Sequence, residues 1–128
     1  MLYTVKTNKT PEQAGADLTA AVARHKFGVL AVHDLQASMA KHGLTFGKPC
    51  RIYEVCQPQQ AKKVLEADTA IATALPCRIA VYTEDGQTVL SMIKPTVLLA
   101  LFHQPGLAAT AQEVEGELTA IMDEAIKE

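Results

Sequence analysis

Arg78-Ile79-Ala80-Val81-Tyr82-Thr83-Glu84-Asp85-Gly86-Gln87-Thr88-Val89-Leu90-Ser91-Met92-Ile93 is the stretch that decides the fold. Two runs rich in β-branched and aromatic residues flank Asp85-Gly86, a pair that accepts the positive φ of a tight hairpin turn. An antiparallel pair excludes a purely parallel, doubly wound sheet. Upstream, Cys50 to Cys56 alternates like a strand. Val29 to Val32, bounded by Gly28 and by His33-Asp34, reads as a strand buried on both faces or nearly so. Leu2 to Val5 has β-type composition. Strands are therefore expected near residues 2–6, 29–33, 51–56, 77–83 and 87–93.

Helices fill the intervals. Thr10-Pro11-Glu12-Gln13 supplies an N-cap, a proline suited to the first helical position, and a Gln that completes a capping box, which predicts a helix over about 11–26. Asp34 can cap a short helix ending near Gly43, and Pro58 and Pro95 each open another. Asp68 to Leu75 has no decisive pattern. From Thr110 to about Ile126, Val114, Leu118, Ile121, Met122 and Ala125 form one apolar stripe that should lie across the sheet. Short sequential elements, each with a single apolar face, predict an α+β two-layer sandwich: a mixed or antiparallel sheet with helices packed on one face.

The chain has 128 residues, close to the usual size of one domain, so residues 1–128 are read as a single unit. A chain of 13.8 kDa can bury about two-thirds of its surface, enough for a core without disulfide or metal staples. Twelve Lys and Arg against 14 Asp and Glu leave a net charge of −2, which provides no basic field for nucleic acid or anionic lipid. No apolar run approaches the ~20 residues of a membrane span, and Met1-Leu2-Tyr3 opens no basic-then-apolar leader, so a cytoplasmic protein is expected. Three cysteines are an odd number without framework spacing, which favours reduced thiols. No Gly-rich phosphate or dinucleotide motif occurs.

Chemistry concentrates around one strand. Alternation places Cys50, Ile52, Glu54 and Cys56 on one side and Arg51, Tyr53 and Val55 on the other. Cys56 precedes a Pro58-started helix, whose free N–H groups would lower a thiol pKa, so it is the candidate reactive thiolate. Cys77 opens the hairpin beside Arg78, which can pair with Glu54. His33, at a strand end, is the one base that adjacent strands could bring to Cys56; otherwise it bonds a backbone carbonyl. Three thiols and one imidazole would suit a soft metal such as Cu(I) or Zn, although no C-x-x-C knuckle is present. Against these readings stands the ordinary role of free cysteine as a small buried hydrophobe. Tyr53 and Tyr82 are expected to hold their hydroxyls at the sheet rim, and His25, His42 and His103 to be exposed helix-end residues.

Cys50-Arg51-Ile52-Tyr53-Glu54-Val55-Cys56-Gln57-Pro58, then Leu75-Pro76-Cys77-Arg78-Ile79-Ala80-Val81-Tyr82 and the Glu84-Asp85-Gly86 turn, resembles domain-of-unknown-function family 302. Phe27-Gly28-Val29-Leu30, His33-Asp34-Leu35 and Lys41-His42-Gly43 resemble its upstream segments. Where this chain has Gln57 the family commonly has Asn, a better helix cap. The resemblance implies a TATA-binding-protein-like arrangement with decorations, commonly a homodimer, and no established reaction or cofactor. Three functions follow as expectations. The first is a homodimeric module holding a small ligand, sulfur species or soft metal near Cys56, Cys77, Glu54, His33 and Arg78. The others are a small thiol enzyme using Cys56, and a structural or partner-binding protein with inert core cysteines.

Overall fold

The computed structural model describes all 128 residues and contains five strands: β1 (Leu2–Thr7), β2 (Gly28–Asp34), β3 (Cys50–Cys56), β4 (Cys77–Glu84) and β5 (Gln87–Ile93). They form one sheet in the order β1-β5-β4-β3-β2, antiparallel at every pairing. Asp85 and Gly86 turn the β4–β5 hairpin with φ of 51° and 77°, the region in which Asp and Gly are tolerated. The helices are α1 (Pro11–Arg24), α2 (Leu35–Ala40), α3 (Pro58–Ala67), α4 (Pro95–Ala100) and α5 (Ala108–Ala125). The architecture is α+β, with α1 and α5 packed against one face of the sheet.

Local chemistry sets the ends of these helices. The Thr10 hydroxyl accepts from Gln13 N at 3.1 Å, as the capping signal requires, but the Gln13 amide reaches forward to Asp17 at 2.9 Å and leaves the capping box half closed. Helix α1 stops at Arg24, because Lys26 takes a left-handed conformation, φ 62°. The segment without a pattern, Thr69–Ala74, is a 3₁₀ helix, with the Asp68 carboxylate accepting from Ala70 N at 3.0 Å.

The main core lies between the helices and the inner face of the sheet. Leu18, Val22, Leu118, Ile121 and Met122 meet Tyr53, Val55, Ile79, Val81, Leu90 and Met92 there. Val64, Ile71, Leu99, Leu107 and Ala111 make a second cluster beside it.

Two expectations need correction. β2 is not buried on both faces. It is the last strand of the sheet, a bulge interrupts its register between Val29 and Ala31, and Leu30 and Val32 are 64% and 47% exposed. An apolar run specifies a strand without specifying where the sheet ends. Tyr53 is not at the rim: it is 5% exposed and sits in the core, against Gly15 of α1.

Candidate functional site

The register decides which candidate residues can meet. Glu54 is directly opposite Arg78 on β4 and Ala31 on β2, and His33 is opposite Ile52. Three adjacent strands therefore bring His33, Glu54 and Arg78 onto the face of the sheet away from α1 and α5. His33 Nε2 donates to Glu54 Oε1 at 2.9 Å, and Arg78 Nη2 pairs with Glu54 Oε2 at 3.4 Å. The expected Glu54–Arg78 pair is formed, and His33 bonds a carboxylate in place of a backbone carbonyl. Cross-strand opposite charges of this kind favour the register they span. The Glu54 side chain is 16% exposed, while His33 and Arg78 are about half exposed.

Cys56 lies elsewhere. It is opposite Gly28, four positions along β3 from Ile52, the partner of His33. At about 3.3 Å per residue that is roughly 13 Å, so the thiol and the imidazole cannot form the expected pair. Cys50 sits at the other end of the strand, six positions from Cys56.

Cys56 and Cys77 do come together. Both line a cavity of about 50 Å³ at the end of β3 and β4, where α3 and α4 close over the sheet. Phe27, Val55 and Val114 of the main core form one side, and Val64, Leu75 and Leu99 of the second cluster the other. Cys56 is the last residue of its strand, and its rim position lets it reach a cavity shared with the inner-face residues Val55 and Cys77.

The electrostatics of this cavity reverse the sequence expectation. Burial pushes the Cys56 thiol up from its ordinary value. Burial, and then the neighbouring Cys56 charge, push Cys77 up to about 11. Losing hydration costs the thiolate more than the start of α3 returns. The Gln57 side chain spends its oxygen on capping that helix, accepting from Gln60 N at 2.7 Å. Both thiols are neutral at neutral pH, and no base touches either. Neither thiol is activated as a nucleophile in this arrangement. No group of three or more His, Cys, Asp or Glu comes together in a way that could hold a metal ion.

A cavity of about 390 Å³ lies between α4 and the start of α5 beside His103 and Gln104, and none of the five candidate residues lines it. His25, expected to be an exposed helix-end residue, is instead largely enclosed. Its Nδ1 pairs with Glu117 at 2.7 Å, its Nε2 with Glu124, and its side chain is only 22% exposed. Only the packing of α1 on α5 brings these groups together.

The face of the sheet away from the helices is open. Leu2, Ile52, Ala80, Tyr82 and Ile93 border a shallow groove on it, with Arg78 and Ser91. Leu2 and Ile93 are 53% and 42% exposed, and Lys48 lies over the Tyr82 ring at one end. No helix of the chain is long and apolar enough to cross a membrane.

Comparison with known proteins agrees with this architecture. The family model described as "Domain of unknown function DUF302" matches residues 3–125. An uncharacterised conserved DUF302 protein from Bacillus stearothermophilus, known from its crystal structure, is 32% identical and superposes with a TM-score of 0.92 over 98% of each chain. No curated protein matches. With nearly its whole length matched in sequence and in fold, the chain belongs to the DUF302 family.

Proposed function

We propose that this protein is a homodimeric binding module that holds a small ligand in the cavity shared by Cys56 and Cys77. One observation carries the reading: both thiols line a cavity with no charged residue in its wall, and burial keeps both protonated. Such a site holds a ligand without reacting with it, which places a binding role ahead of a thiol enzyme.

The dimer half of the reading rests on the open sheet face. Five strands about 4.8 Å apart and some seven residues long, at about 3.3 Å each, project roughly 550 Å² before side-chain relief is counted. A standard interface removes about 800 Å² of accessible surface per partner, so this face is of the right order. The chain exposes 7185 Å². A compact monomer of its mass is expected to expose roughly 6,600 Å². His33, Glu54 and Arg78 would then act as the polar part of the contact, with Leu2, Ile52, Ala80 and Ile93 as its apolar part.

Native mass spectrometry of freshly purified protein, before and after mild denaturation, tests both halves. The expected result is a dimer that carries a small retained mass, lost on denaturation. Ala80→Asp, a charge at the centre of the open face, should give a folded monomer by light scattering. A monomer mass for the unmutated protein across a hundredfold dilution series would refute the dimer.

A further inference from the structure

We infer that the Cys56–Cys77 cavity takes a small neutral amphiphile: a body of one or two aliphatic carbons bearing one O–H or N–H donor, as in a small alcohol. The inference rests on the binding role proposed above and adds the chemical class of the ligand.

The wall of the cavity excludes most alternatives. Charged ligands are disfavoured, because the lining contains no charged side chain and both thiols are protonated, so the charge would be stripped of water without a partner. Size excludes larger molecules, since about 50 Å³ corresponds to only a few water-sized volumes.

A second observation specifies polarity. Gln60 of α3 lines the cavity, and its Oε1 is buried without a hydrogen-bond partner. Buried side-chain oxygens are nearly always bonded, so an orphan acceptor at an apolar cavity marks a missing donor. Gln57, the other amide in the wall, is already engaged with Gln60 N and Gln59. A lone water would serve Gln60 poorly, because ordered buried waters need two to four polar partners and here the remaining neighbours are weakly polar thiols. A molecule with an alkyl body and a single donor satisfies both the oxygen and the walls.

The test is a pair of isomers titrated into the full-length protein and followed by methyl and side-chain amide NMR: ethanol, which has a donor, and dimethyl ether, which has none. Saturable shifts at the methyls of Val64, Leu98 and Leu99 and at the Gln60 amide are expected with ethanol. The ether should bind at least tenfold more weakly. Gln60→Leu, on the unmutated fold as judged by its amide spectrum, should erase that preference. Equal binding of the two isomers would overturn the donor inference while leaving the cavity a binding site. No saturable shift with either, as with an oxygen served by water alone, would overturn both. The isomer comparison in the unmutated protein decides the matter even if Gln60→Leu fails to fold.

Discussion

Gly15 and Tyr53 show how far one atom can matter. A Cβ placed on Gly15 would lie 2.0 Å from the Tyr53 hydroxyl oxygen, and Tyr53 is held in the core. Gly15→Ala should therefore destabilise the fold by roughly 1–3 kcal/mol, in the range of overpacked cores, as read from the urea midpoint. Adding Tyr53→Phe, which removes that oxygen, should recover part of the loss; if the double substitution is as unstable as the sum of the singles, the contact is not the cause. At His25 the measurable quantity is pH dependence. Its pKa is raised by hydrogen bonds to Glu124 and Glu117, and that of Glu124 is lowered, chiefly by His25 and then by Arg24. A raised histidine pKa stabilises fully below the ordinary value of 6.5 and is lost as pH climbs through the folded value. A lowered carboxylate stabilises above its ordinary 4.5 and is lost as pH falls through the folded value. The cluster thus contributes fully between these two ordinary values and fades on the alkaline side. In urea unfolding above neutral pH, unmutated protein should lose stability relative to His25→Gln. Parallel pH profiles would show that the cluster does not couple to folding.

Among the helices, α5 buries the most residues. Val114, Leu118, Ile121, Met122 and Ala125 turn one stripe toward α1 and the sheet, and Leu118 is fully buried. Leu118→Ala should cost about 2–5 kcal/mol, measured by chemical unfolding, because the large neighbours around it cannot collapse into the space. Helix starts are worth less: Thr10→Ala removes one cap bond and should cost about 1 kcal/mol in the same measurement. A loss at Thr10 as large as that at Leu118 would mean that α1 is held by its cap and not by its apolar face. Both features were legible, since a cap and a stripe are patterns of neighbouring residues. The edge position of β2 was not, because neither Leu30 nor Val32 differs in kind from residues of a central strand.

Across the whole molecule, the sheet separates two chemistries that the sequence had placed in one group of five residues. His33, Glu54 and Arg78 share the open face, while Cys56 and Cys77 turn to a cavity between the two core clusters. Because burial keeps these thiols protonated, folded, reduced protein should label at Cys77 more slowly at pH 8 than after unfolding, with each cysteine followed by peptide mapping. Fast labelling of Cys77 in the folded state would contradict its burial.

Local signals determined the strands, the hairpin, most helix ends and the α+β class, because turns, caps and apolar periodicity act over a few residues. The Glu54–Arg78 pair also came from the sequence, since two strands joined in one sheet put opposite charges within reach. Three things were decided only by the tertiary structure. Register sent His33 to Glu54 instead of Cys56, helix packing enclosed His25 between Glu117 and Glu124, and closure of α3 and α4 over the strand ends raised the thiol pKa values. Each depends on contacts between residues far apart in the chain, whose distances and desolvation exist only once the sheet and helices have assembled.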